Sequence, residues 1–120
     1  MTSKDSNDTL DLIIQRNVWQ PNQPLRLHLG CGENYLEGYI NIDFPPDAHT
    51  VMSVQADIYQ DITQLQFPND SVDEIRLHHV FEHFDRVTAL ALLIKWYEWL
   101  KIGGRLHIET PDLEGCAKII

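Results

Sequence analysis

Two glycines one residue apart, in Leu27-His28-Leu29-Gly30-Cys31-Gly32-Glu33, directly follow an alternation of apolar and polar residues. A glycine turn at the carboxyl end of a strand lets a ligand approach backbone that any Cβ would block. The same residues also suit a tight turn with no ligand. A third glycine is missing, with Asn34 and Tyr35 in that region, so a pyrophosphate cradle for NAD or ATP is disfavoured. Asp43 closes the run Tyr39-Ile40-Asn41-Ile42-Asp43, where a carboxylate can accept hydrogen bonds from both hydroxyls of a ribose. Asp57, followed by Ile58, is placed to meet an adenine amino group while Ile58 packs on the ring. Taken alone, Asp57 reads equally as a loop-capping Asx turn. Further on, His78 and His79 precede Glu82 and His83. On a helix His79, Glu82 and His83 would share a face, a donor set suited to Zn, Fe, Mn or Ni. Singly, these histidines are candidates for a general base.

The elements that must position these groups follow from periodicity and punctuation. Leu10, Ile13, Ile14 and Val18 recur at helical spacing, predicting a short amphipathic helix over Thr9–Trp19 that Pro21 and Pro24 stop. Strands are expected at Leu25–Leu29, Tyr39–Asp43, Val51–Ala56 and Val72–His78, the last burying Val72, Ile75 and Leu77. Asp85 suits the N-cap of a helix from Arg86 to Lys101, with Val87, Leu90, Ala91, Ile94 and Tyr97 as its core stripe and Gly103-Gly104 as its C-cap. Trp96 and Trp99 on that helix read as core packing. A fifth strand runs from Arg105 to Thr110 with Leu106 and Ile108 inward, and the tail from Asp112 has room to open one more helix. Strands joined in this order predict an open α/β sheet. Parallel neighbours normally need a crossover of a dozen or more residues, which the links after the first two strands are too short to supply. Covering helices there are expected to be replaced by loops.

Composition bounds the rest. A chain of 120 residues makes one domain, with residues 1–8 expected to fray. The net charge of −9, with Lys and Arg scattered singly, disfavours general nucleic-acid binding. No apolar run is long enough to span a bilayer, and the polar start, without a signal-like segment, points to the cytoplasm. Cys31 and Cys116 make neither a metal-ligand spacing nor a disulfide framework. An apolar helix beside an edge strand makes a homo-oligomer a reasonable expectation.

In this order, Leu29-Gly30-Cys31-Gly32, Gly38–Asp43, Ala56-Asp57-Ile58, Phe67–Ile75, Phe81-Glu82-His83-Phe84 and Leu100–Leu106 resemble the landmarks of class I (Rossmann-like) S-adenosylmethionine-dependent methyltransferases. The resemblance covers roughly Leu25 to Asp112. It implies a Rossmann-like, mostly parallel sheet of about five strands with few covering helices, lacking the family's last two strands. It implies S-adenosylmethionine as cofactor, with Gly30, Cys31 and Gly32 beside its methionine part, Asp43 on the ribose, and Asp57 with Ile58 on the adenine. His78 and His79 would border the methyl group and the methionine amino end, and His78, His79 and His83 become the candidates for deprotonating an acceptor, a small molecule or another unidentified nucleophile. His79-Val80-Phe81-Glu82-His83 is also similar to the Glu-x-x-Glu-His motif of the ubiquinone-pathway O-methyltransferases and the small-RNA 3′-terminal 2′-O-methyltransferases, which depend on divalent metals. His79 replaces the first Glu of that motif, so the reading adopted is no metal, with His79, Glu82 and His83 as the alternative ligand set. The competing function is a non-catalytic cofactor-binding or assembly module, or a fragment of a longer methyltransferase.

Overall fold

A computed structural model describes residues 8–32, 34–45, 55–78 and 84–109. Its elements are helix α1 (Asp8–Gln15), strands β1 (Arg26–Leu29), β2 (Ile40–Asp43) and β3 (Ile58–Tyr59), a 3-10 turn (Ile62–Gln64), strand β4 (Val72–His78), helix α2 (Arg86–Trp99) and strand β5 (Leu100–Glu109). The strands form one sheet in the order β3-β2-β1-β4-β5, and every neighbouring pair is parallel. This is the expected five-strand α/β sheet, with the order reversing at β1, where β2 lies on one side and β4 on the other.

Side-chain alternation makes the two sheet faces chemically different. Leu27, Leu29, Ile42, Ile58, Ile75 and Leu77 are all but fully buried, in one cluster with Ile13 of α1 and with Leu92, Trp96 and Trp99 of α2. The opposite face carries polar residues in lateral rows, Arg26 beside Glu74 and His28 between Asn41 and Arg76. Instead of a helix, the link from β1 to β2 supplies Tyr39 to this face. Its hydroxyl donates to Glu74 Oε2 at 2.6 Å, and the Arg76 guanidinium sits 5.7 Å from its ring centre. Hydrogen bonds and ring contacts thus hold a parallel pair that would ordinarily be covered by an apolar helix. Among the described residues, no helix is long and apolar enough to cross a membrane.

Several boundaries differ from expectation for local reasons. Helix α1 stops at Gln15, before either proline, because Asn17 turns left-handed (φ 57°). Val18 N–H then donates to Ile13 O at 2.9 Å and Asn17 N–H to Ile14 O at 3.1 Å, the paired bonds of a Schellman motif. Of the expected strand Val51–Ala56, residues 51–54 lie outside the described residues, and Gln55 and Ala56 are not strand. The third strand is Ile58–Tyr59, beyond Asp57, because Gln55 is tied to the glycine turn and the chain first pairs with β2 through Asp57 N–H to Asn41 O (2.7 Å). The tail from Asp112 and Cys116 also lies outside the described residues.

Helix α2 needs two corrections. It ends at Trp99, not Lys101, and β5 begins at Leu100. No glycine caps it: Asp70 N–H donates to Glu98 O at 3.0 Å and Ser71 N–H to Trp99 O at 2.9 Å, so the turn before β4 satisfies its last carbonyls. Gly103 and Gly104 lie inside β5 instead, where the pairing with β4 skips from Val72↔Leu100 to Glu74↔Arg105. A Cβ on Gly104 would lie 2.9 Å from Lys101 O, so this irregularity needs glycine. The second correction concerns the core stripe. Val87 (80 % exposed), Leu90, Ile94 and Tyr97 face outward, while Leu92, Trp96 and Trp99 face the sheet. Both sets recur at helical spacing, and the two indoles, which bury the larger area, take the inside. Trp99 packs edge-to-face on Phe67, centroids 5.1 Å apart.

The N-cap of α2 is where the sequence puts it, with Asp85 Oδ1 accepting the Thr88 N–H at 2.7 Å. That bond holds the Asp85 carboxyl below its ordinary value of 3.8. A depressed folded-state pKa contributes stability above the unfolded value and loses it as the pH falls through the folded one. Asp85→Ala is therefore expected to lower the melting temperature at neutral pH, with Asp85→Ser recovering most of the loss. The difference from wild type should shrink as thermal melts are taken below pH 3.8.

Candidate functional site

The site grows from the carboxyl ends of β1 and β2. Gly30 and Gly32 both adopt left-handed backbone (φ 71° and 55°), which only glycine takes without strain, and so bend the chain sharply off β1. Gly30 N–H donates to Ile42 O at 2.7 Å, continuing the backbone pairing with β2. Two residues on, Gly32 N–H donates to Asp43 Oδ2 at 2.8 Å, while Asp43 Oδ1 accepts the Phe44 N–H at 2.7 Å. The carboxylate is thus aimed at the turn, with one backbone donor on each oxygen and lone pairs left for further donors. Gln55 fastens the turn from the other side, its N–H donating to Gly32 O (3.2 Å) and its carbonyl accepting the Cys31 thiol (3.1 Å). Burial, then the nearby Asp43 carboxylate, pushes that thiol up to about 11. Cys31 is a neutral hydrogen-bond donor and not a nucleophile.

Asn41 is the hub of the second shelf. It is fully buried, and its Oδ1 accepts from Leu36 N–H (3.0 Å) and His28 Nδ1 (2.8 Å). An amide oxygen only accepts, so His28 Nδ1 carries the proton. Asn41 Nδ2 donates to Leu36 O (2.9 Å), Tyr39 O (3.1 Å) and Asp57 Oδ2 (3.3 Å). Asp57 is occupied as well: Oδ2 accepts Asn41 N–H at 2.8 Å and Oδ1 accepts the Tyr35 hydroxyl at 2.7 Å. That bond raises the Tyr35 phenol to about 12, so it stays a donor.

A cavity of about 340 Å³ beside the turn is lined by Tyr35, Gln55, Ala56 and Tyr59, the two tyrosines 42 % and 40 % exposed. A larger one, about 530 Å³, opens toward the first residues of β1 and β2, Arg26 and Ile40, and is lined also by Gly38, Tyr35 and Asp57, whereas the smaller one adjoins the turn through Gln55, which bonds Gly32. Ligands of open parallel sheets bind outside the carboxyl ends of the strands, at the point where the strand order reverses. By that rule the smaller, turn-side cavity is the candidate site.

Gly30, Cys31, Gly32 and Asp43 therefore converge. Asp57 is joined to them only indirectly, through Asn41 and the 55–57 segment. Ile58 does not reach the cavity: it is 1 % exposed and belongs to the core on the other sheet face, while Tyr59 takes the facing position. His78 ends β4 opposite Glu109. His79, Glu82 and His83 lie outside the described residues. Sequence pattern alone does not single out Tyr35, Asn41, Gln55 or Tyr59 as site residues. Of these only Asn41 leaves a clear trace, a lone amide between Ile40 and Ile42 in a buried strand.

No curated protein matches the chain. A family model described as a methyltransferase domain matches residues 27–108, from within β1 to within β5, and so takes in the glycine turn, Asp43 and the turn-side cavity. The matched stretch is more than half of the chain and its parallel sheet is Rossmann-like. The chain belongs to the class I methyltransferase family.

Proposed function

We propose that this protein binds S-adenosylmethionine at the turn-side cavity and transfers its methyl group to a nucleophilic O, N or C of a small-molecule or other unidentified acceptor. The observation that carries this reading is the Gly32–Asp43 contact: a glycine turn with a carboxylate aimed at it, at the strand ends where the sheet order reverses. The residues present fit the cofactor. The left-handed glycines expose backbone beside its methionine part, Asp43 keeps acceptor capacity for ribose hydroxyls, and Tyr35 and Tyr59 offer aromatic surfaces to the adenine. When bound, the cofactor supplies an electrophilic methyl on a sulfonium. The chain's own work is to align donor and acceptor, exclude water and take a proton from the acceptor. His78, which ends β4, and His79 and His83, beyond it in the sequence, are the residues proposed for that proton. The acidic chain, with no basic stripe, argues for an acceptor other than nucleic acid.

Calorimetric titration with S-adenosylmethionine and S-adenosylhomocysteine tests this. Asp43→Ala is expected to weaken binding by about 1–3 kcal/mol, or about 5- to 150-fold. Asp43→Asn keeps an acceptor for the Gly32 N–H but not the charge, and should fall between. Absence of binding to wild type would overturn the reading. Tight binding with no methyl transfer across an acceptor screen would leave a binding module.

A further inference from the structure

The outward face of α2 is apolar without any covering element among the described residues. Val87 and Tyr97 are each 80 % exposed, Leu90 59 % and Ile94 53 %, with Ala91 exposed among them. The opposite side of the same helix is filled by the core, so these residues cannot rotate inward. Four large apolar side chains aligned on one helix face are more than the scattered exposure normal for a surface.

The pattern is self-complementary. The large residues are spaced three, four and three apart, which reads the same from either end and centres on the level of position 92. The stripe is bracketed by opposite charges equally far from that centre, Arg86 at the start of α2 and Glu98 near its end, about 18 Å apart along the axis. Both are exposed, and neither is in an ion pair among the described residues.

We infer that α2 pairs antiparallel with the α2 of a second copy of this chain, across a two-fold axis at the level of position 92. Leu90 then meets the partner's Ile94, Val87 the partner's Tyr97, and Arg86 the partner's Glu98, each contact occurring twice. Ala91, small and near the centre, lets the helices approach to about 8–10 Å. The partner's Val87 arrives beside a hollow of about 460 Å³ lined by Tyr97 and Ile102, whose side chain is otherwise wholly exposed. Two chains of charge −9 repel at long range, so a matched pair of local opposite charges favours this register over other apolar contacts.

Sedimentation of the purified full chain tests the proposal. Wild type is expected as a dimer and Ile94→Asp as a monomer, with circular dichroism unchanged, and with a melting temperature that no longer rises with protein concentration as that of wild type does. Arg86→Glu and Glu98→Arg should each weaken self-association by about tenfold, two attractive pairs having become two repulsive ones. An equimolar mixture of these two variants should recover the dimer, because both charge contacts of the mixed pair again join an acidic side chain to a basic one. A monomeric wild type at the highest soluble concentration would overturn the proposal. So would a dimer indifferent to Ile94→Asp, or charge variants that do not rescue each other.

Discussion

Replacing Trp96 by alanine is expected to destabilise the chain by about 3–5 kcal/mol, the range for emptying a buried indole from a packed core. Trp96 is wholly buried and lies with Leu92 and Trp99 between α2 and the apolar sheet face. Removing it takes out the largest of the fully buried side chains and leaves a void that α2, fixed at both ends by its cap and by the β5 pairing, cannot collapse to fill. A domain of this size has about 5–15 kcal/mol in total, so the variant should be partly unfolded at physiological temperature. Urea denaturation would show a large fall in the midpoint with little change in slope. A loss below about 1 kcal/mol would mean that the helix packs on the sheet far more loosely than its burial implies. Ligand affinity per folded molecule should be retained, since no part of α2 lines the turn-side cavity.

Asn41→Leu should damage stability and ligand binding together. The substituted side chain has nearly the same size but makes no hydrogen bonds, so at least the Leu36 N–H, the Tyr39 carbonyl and the His28 Nδ1 proton lose this partner, while the Leu36 carbonyl keeps the Tyr39 N–H at 3.4 Å. Each buried group left unpaired costs about 1–3 kcal/mol, so with several orphaned the loss should approach that of Trp96→Ala. The link 34–39 owes its place on the sheet to Asn41 and Tyr39, and it carries Tyr35 to the cavity. Cofactor affinity should therefore fall even under conditions that keep the variant folded. Calorimetry beside chemical denaturation separates the two substitutions: Trp96→Ala moves the denaturation curve alone, Asn41→Leu moves both. Full affinity in Asn41→Leu would show that Tyr35 and its link are not needed at the site.

Much of the architecture was legible from local pattern. The alternation in Leu25–Leu29 and the spacing of Val72, Ile75 and Leu77 report a sheet with one buried face, and Asp85 before an apolar run reports a helix start. The misread features are those in which two local signals compete. In α2, two apolar stripes share the helical period, and which is buried depends on the volume the sheet leaves beneath it. Gly103-Gly104 after a helix resembles a C-cap in sequence, yet the carbonyls it would have capped are met by Asp70 and Ser71 from a turn distant in the chain. At the site, the glycine turn and Asp43 were visible because their residue types are unusual for their positions. Ile58 was placed by its proximity to Asp57, although neighbouring strand residues face opposite sides and Tyr59 inherits the cavity. Asn41 and Tyr35 act partly through His28 and Asp57, 13 to 22 residues away, and no short motif contains both ends of such a contact.

The short link between β1 and β2 also bears on the order in which the molecule assembles. His28 and Asn41, partners across that pair, are 13 residues apart in the chain, whereas the contact from Leu25 to Asp73 that joins β1 to β4 spans 48. Closing the longer loop costs about 1 kcal/mol more in chain entropy. The corner that holds the glycine turn, Asn41 and Asp43 is thus encoded almost entirely by near neighbours, and can form before the centre of the sheet is joined. Replacing a crossover helix by a hydrogen-bonded loop makes the ligand-facing corner the most local part of a topology otherwise built from distant pairings.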